Sequence, residues 1–256
     1  MRYIVCTVLG ILLLATVDAP SVAQPGITPH RLLQTTTTII GQPIEFVHSR
    51  DEVAAFLVEL APGGETGRML HLFPMVVYVT EGTLSFEIPG QAARTVDAGQ
   101  AFVAPLKSPI NGVNRGATPV KFLAVYFGER EKQLLKSADS RPRGFRPTTV
   151  LETAKTWTGE PIYFPLLANQ FTVEVVDIAP GAVDPRHVQT HIQFVYVLAG
   201  VLSLDASGHP RQTFNPGAAF VETTWPHAVG NRGTVGLRYL TIYAGEAGVP
   251  LVLPAP

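Results

Sequence analysis

His187, Gln189, His191 and Gln193 recur at every second position of 185-PRHVQTHIQFVYVLAG-200, just before a run of Phe194, Val195, Tyr196, Val197 and Leu198. On a continuous strand, period-two alternation places all four polar side chains on one face. Imidazole nitrogens on a shared face suit a divalent transition metal, with amide oxygens as weaker neutral donors. No Ser-His-Asp arrangement at a nucleophile elbow, phosphate-cradling glycine loop or H-E-x-x-H motif competes with this constellation.

The elements that must position these residues come twice. Residues 32-LLQTTTTIIGQPIEF-46 match 150-VLETAKTWTGEPIYF-164, so that Gly41, Pro43, Ile44 and Phe46 are answered by Gly159, Pro161, Ile162 and Phe164. The same offset carries 62-PGGETGRMLHLFPMVVYVTEG-82 onto 180-PGAVDPRHVQTHIQFVYVLAG-200, and 99-GQAFV-103 onto 217-GAAFV-221. One loop residue is then missing, because 114-NRG-116 answers to 231-NRG-233. The chain is a tandem duplication. Within each copy, short β-branched and aromatic runs such as 76-VVYV-79 and 120-VKFLAVYF-127 are bounded by Gly, Pro, Asn and Asp. That spacing predicts an all-β sandwich or barrel. The exception is 129-EREKQLLKSA-138, which reads as a short polar helix leading into the basic connection 139-DSRPRGFRP-147.

Composition excludes some function classes. The formal net charge is −1 and charged residues make up 15% of the chain, so there is no basic footprint for nucleic acid. At the N-terminus, Arg2 precedes the apolar run 3-YIVCTVLGILLLATV-17, and 18-DAPSVA-23 places small residues before a cut after Ala23, with Ala19 as a second cut site. This is the layout of a secretory signal, so a secreted or periplasmic protein is expected. Past residue 23 no apolar run approaches a membrane span. The only cysteine, Cys6, falls inside that leader and leaves the mature chain without a thiol.

The spacing of glycines, prolines and histidines in both copies resembles the cupin superfamily. Its paired motifs, G-x5-H-x-H-x3-E-x6-G and G-x5-P-x-G-x2-H-x3-N, hold a metal on three histidines and a glutamate inside a small β-barrel. The resemblance covers nearly all of the mature chain and implies two tandem cupin-type (double-stranded β-helix, jelly-roll) barrels, near residues 31–128 and 149–246. Residues 129–148 would then be the linker and 247–256 a C-terminal tail. Gly63, Gly82, Gly99, Pro105 and Asn114 stand at motif spacing in the first copy, and Gly181, Gly200, Gly217 and Asn231 in the second. The implied metal positions depart from the pattern. They read Met69, His71, Met75 and Ile110 in the first copy, and His187, Gln189, Gln193 and His227 in the second.

In the second copy, His187 and His227 would anchor a divalent Fe, Mn, Ni or Zn, with Gln189 and Gln193 as secondary ligands, although no carboxylate neutralises the ion. His191 either joins them or caps the turn before the strand. In the first copy no metal is expected, because methionines and an isoleucine make an apolar cup. Cu(I) on Met69, His71 and Met75 is the soft-ligand alternative. Tyr196 and Trp225 are candidate pocket walls in the second copy. Three functions follow: a barrel that binds a small molecule, a metal-dependent oxygenase or isomerase, or a rigid interaction scaffold. Fold cannot choose among them, since function lives in the site. Neither the ligand nor the oligomeric state is encoded legibly.

Overall fold

A computed structural model describes residues 24–47 and 49–255, so the secretory reading of residues 1–23, Cys6 included, lies outside the described residues. The first copy runs β1 (Ile27–Thr35), β2 (Asp51–Glu65), β3 (Met69–His71), β4 (Met75–Glu81), β5 (Thr83–Glu87), β6 (Arg94–Asp97), β7 (Ala101–Val103), β8 (Asn111–Val113) and β9 (Val120–Glu129). Then follow β10 (Leu135–Ser137), β11 (Arg143–Thr153), β12 (Gln170–Ile178), β13 (His187–Gln189), β14 (Ile192–Ala199) and β15 (Leu202–Ala206). The chain ends with β16 (Gln212–Phe214), β17 (Ala219–Val221), β18 (His227–Gly230), β19 (Leu237–Gly245) and β20 (Val252–Pro254). No helix occurs among the described residues.

The second barrel is formed by two five-stranded sheets, β1-β12-β19-β14-β17 and β16-β15-β18-β13-β20. The first barrel is one eight-stranded sheet, because the long β2 bends from its pairing with β9 to reach β8 at Glu65↔Val113. The two copies exchange their outer strands. β1 precedes the first barrel in sequence but pairs along β12 from Ile27↔Ile178 to Thr35↔Phe171. β11 opens the second copy but pairs along β2 from Arg143↔Glu65 to Thr153↔Val53. Each barrel thereby covers an edge that would otherwise offer unpaired backbone groups to another chain.

Strict alternation builds two cores from single strands. On β9, Phe122, Ala124 and Tyr126 point into the first barrel, while Leu123, Val125 and Phe127 point to the seam between barrels. On β14, Val195 and Val197 turn into the second barrel, and Phe194 and Tyr196 turn to the seam. The seam is closed by Phe46, Phe127, Phe164 and Phe171, with ring centroids 4.9 Å apart for Phe127–Phe171 and 5.2 Å for Phe46–Phe171. Such offset, tilted aromatic pairs add packing energy beyond their buried area.

The polar helix expected over 129–138 is not formed. The backbone turns through Glu131 at φ +64°, and Leu135–Ser137 forms β10, antiparallel to β3. The segment has no apolar stripe at helical spacing, whereas as a strand it lays Leu134 and Leu135 over the open end of the first barrel. The C-terminal tail also adds a strand, β20, which pairs with β13 of the second barrel.

Candidate functional site

The motif asparagines are structural. Asn114 and Asn231 are fully buried, and each donates two hydrogen bonds to backbone carbonyls: Leu60 and Thr118 for Asn114, Ile178 and Val235 for Asn231. Their side-chain oxygens accept from Gly116 N and Gly233 N. They pin the hairpin that carries the last motif position, Ile110 in one barrel and His227 in the other.

Inside the first barrel is a cavity of about 460 Å³. Its wall includes Phe56, Val77, Leu84, Phe86, Phe102 and Phe122, with Leu134, Leu135 and Phe145 toward the linker. Met69, His71, Met75 and Ile110 all border it; Met75 and Ile110 are buried and Met69 is half-buried. No Asp, Glu, Lys or Arg lines this space. Its buried polar feature is a pair: His71 Nδ1 lies 2.8 Å from the hydroxyl of Tyr126. Burial pushes His71 down to about 4 and Tyr126 up, so both are neutral at physiological pH. Tyr126 was not among the candidates from sequence. Alternation along 120-VKFLAVYF-127 assigns it to the same face as Phe122 and Ala124, which is the signal that would have found it.

The second barrel answers this apolar interior with polar groups at equivalent positions. Glu174 stands for Phe56, Gln193 for Met75, Glu222 for Ala104, Tyr239 for Phe122, Thr241 for Ala124 and Tyr243 for Tyr126. β13 and β18 bring His187 and His227 into direct register, with rings edge to face and centroids 4.5 Å apart. Each ring is held in the same way. His187 Nδ1 donates to the carbonyl of Pro185 at 2.9 Å, and His227 Nδ1 donates to the carbonyl of Trp225 at 2.7 Å. A carbonyl can only accept, so each Nδ1 carries the hydrogen and each Nε2 keeps its lone pair. A backbone acceptor on the far nitrogen is the arrangement that orients metal-binding imidazoles.

Nε2 of His187 accepts from the amide of Gln189 at 3.1 Å. Nε2 of His227 is buried with no hydrogen-bond partner, as are Oε1 of Gln189 and Oε1 of Gln193. Gln193 instead donates to Thr241 at 2.7 Å and to the Tyr243 hydroxyl at 3.1 Å. Behind His227 lies a carboxyl that sequence reasoning missed. Glu222 Oε1 is 3.4 Å from His227 Nε2 and accepts from Trp157 Nε1 at 3.0 Å. Burial pushes Glu222 up to about 7, against the bonds from Trp157 and the Thr223 backbone. Burial also lowers His227, so near neutral pH this contact joins two uncharged groups more than it makes an ion pair. The signal for Glu222 was its place immediately after 217-GAAFV-221, where an apolar strand ends on a charge. The second cup therefore has an acidic member, contrary to expectation. Two imidazoles, one carboxyl and two orphaned amide oxygens fit the donor classes of a divalent metal, although among the described residues no three His, Cys, Asp or Glu side chains form a ligand cluster.

Three sequence candidates do not join this site. His191 falls at the break between β13 and β14, so the strand is not continuous and its ring turns away, 4% exposed, against Gly245. Its Nδ1 lies 2.6 Å from the Thr190 hydroxyl and its Nε2 3.2 Å from the Glu246 carbonyl, so both nitrogens are engaged. Tyr196 faces the seam, one residue out of phase with the interior positions Gln193 and Val195. Trp225 is 47% exposed and packs edge-on against His209 on the surface.

This arrangement of two barrels, each with its motif positions turned inward, defines the class. The Cupin domain family matches residues 56–126 and 174–243, together more than half of the chain. The chain belongs to the cupin family and carries two of its domains in tandem. Matching solved structures include two variants of oxalate decarboxylase from Bacillus subtilis, both at a TM-score of 0.61. They are 12% and 13% identical, and the matches cover 90% and 93% of this chain and 75% and 81% of the other. Another structure of that decarboxylase gives 0.59 at 13% identity, over 90% of this chain and 78% of the other. At such identity the likeness is one of fold. No curated protein matches the sequence.

Proposed function

We propose that this bicupin is an exported small-molecule-binding protein whose first barrel takes an apolar ligand without metal. The supporting observation is the cavity of about 460 Å³, bordered by aliphatic and aromatic side chains and free of charged ones. Enclosed, mostly apolar pockets of a few hundred Å³ with few polar groups are the usual form of small-molecule sites. The test is titration of the mature protein with the neutral fluorophore N-phenyl-1-naphthylamine. One equivalent should bind with blue-shifted emission, and Ala124→Phe, which projects a ring into the cavity, should abolish binding while leaving the circular dichroism unchanged. Absence of binding to the parent would refute this reading. N-terminal sequencing of the exported product tests removal of residues 1–23.

The orphaned Nε2 of His227 and its partner His187 support a second reading, a divalent metal in the second barrel. His187 and His227 would hold it, with Gln189 and Glu222 within the same polar cup. When bound, such an ion supplies Lewis acidity to an oxygen ligand. Metal at a hundred times its Kd should stabilise the fold by about 2.7 kcal/mol. Thermal melts with Zn, Mn, Ni and Fe(II) should show the shift, and His187→Ala or His227→Ala should remove it. A shift that survives both substitutions would place the ion elsewhere.

A further inference from the structure

We infer that Glu222, held in place by Trp157, is the anionic ligand of the divalent metal in the second barrel, taking the part of the motif glutamate whose position Gln193 occupies. This rests on the metal reading of that barrel and names the group that neutralises the ion.

The two copies differ at both residues together. Where the second copy has Glu222 and Trp157, the first has Ala104 and Ile39. The acid and its indole partner therefore occur in the barrel that holds His187 and His227, and are replaced by apolar residues in the barrel whose motif positions include Met69, Met75 and Ile110. The backbone is alike in both: Ile39 N donates to the carbonyl of Val103 and Trp157 N to that of Val221, each at 2.9 Å. Ala104 packs in the inner core of the first barrel, so this position faces inward, and in the second barrel it delivers a carboxyl to the cup. Glu222 N donates to the carbonyl of Gln193 at 2.8 Å, which sets the acid on the neighbouring strand end, beside the motif position. Gln193 itself is neutral and has its amide nitrogen committed to Thr241 and Tyr243.

The contact with His227 has the spacing of two ligands on one ion. Because Nδ1 of His227 donates to the Trp225 carbonyl, Nε2 presents a lone pair, and it is buried without a hydrogen-bond partner. Glu222 Oε1 lies 3.4 Å from it, and the two side chains are 0% and 1% exposed, so water does not separate or neutralise them. A carboxylate oxygen and a bare imidazole nitrogen are both acceptors, and a positive centre is needed to satisfy the two at once. Ligand atoms about 2.1 Å from one ion and at the tetrahedral angle stand about 3.4 Å apart. Trp157 Nε1 donates to the same Oε1 at 3.0 Å, which fixes the carboxyl in this orientation from outside the cup. Trp157 is thus a positioning residue.

The experiment is isothermal titration of the mature protein with Co(II) and with Zn(II) at neutral pH, with the visible absorption of the Co(II) form recorded alongside. Glu222→Gln should weaken binding by about a hundredfold, the upper end of what loss of a supporting group costs a metal site. Trp157→Phe should weaken it by about tenfold and shift the Co(II) bands, as expected when a ligand is left but loses its support. Should the variants fail to fold, infrared difference spectra of the unmodified protein with and without Zn(II) remain decisive, because a coordinated carboxylate changes its stretching bands. If metal binds and is lost in His187→Ala and His227→Ala, yet Glu222→Gln keeps full affinity or the carboxylate bands do not move, the role of Glu222 is overturned while the metal reading stands. If neither ion binds the parent, the metal reading falls and this assignment falls with it.

Discussion

Glu222→Gln replaces the buried carboxyl of the second barrel by a neutral amide of the same shape, and its effect depends on pH in a way that can be worked out. In the fold burial raises Glu222 from its ordinary 4.5 to about 7. Below pH 4.5 the group is protonated whether the chain is folded or not, and the shift has no effect. Between 4.5 and about 7 the folded protein retains a proton that the unfolded chain has released, so stability falls as pH rises. Above pH 7 the loss is complete and amounts to about 3 kcal/mol, at about 1.4 kcal/mol for each pH unit between the two values. His71 acts in the opposite sense, because its folded value of about 4 lies below the ordinary 6.5. Its contribution is present above pH 6.5 and is lost as pH falls toward 4. In the parent the two slopes oppose each other across the overlap, so the parent curve alone is uninformative. The difference between variant and parent isolates Glu222. In the variant the amide oxygen can still accept from Trp157. Urea denaturation of both proteins, with EDTA present and stability extrapolated to water, should give a difference that grows by about 3 kcal/mol in favour of the variant from pH 4.5 to about pH 7.5. A difference independent of pH would show that Glu222 is hydrated or paired, and the account of its burial would be wrong.

Met75→Asp should place a carboxylate against the first cavity without a partner and lower the melting temperature sharply, or hold the group protonated at neutral pH. Unchanged stability would show that the cavity is filled with water. Gly245→Ala would put a Cβ 1.5 Å from Cδ2 of His191. The ring must leave its bonds to Thr190 and Glu246, and the expected cost is roughly 1–3 kcal/mol by chemical denaturation, typical of overpacking. A chain that starts at Thr36 lacks β1 and leaves β12 as an open edge. Hydrogen exchange should then show loss of protection along β12 but not along β2, whose outer partner is β11. Retained protection on β12 would mean that the exchanged strand is dispensable.

Much of the fold was legible because it rests on local and repeated signals. The duplication, the turn glycines and the alternation of apolar residues survive as patterns along the chain. Gly200 shows why: at φ +75°, with the Gly236 carbonyl 2.5 Å from where a Cβ would sit, only glycine fits that turn. Over residues 129–138 local patterning misleads, because a charged stretch reads as a helix with no apolar periodicity to support it, and the fold makes β10 there. Its two leucines are spoken for by the barrel mouth, a demand that exists only once the barrel is built.

What the sequence determined by itself was the class of fold, its repetition and the side chains at each motif position, since period-two patterning and glycine sterics act within a few residues. What only the tertiary structure decided was who meets whom inside each barrel. Tyr126 reaches His71 and Glu222 reaches His227 from strands remote in sequence, and β1 leaves its own copy for the other. His191 is diverted by a strand break of two residues, which turns its ring from the cup to Gly245. Burial and partnership are properties of closed barrels. They fix charge states and free lone pairs, and therefore which ligand each cup can accept, and no local pattern records them.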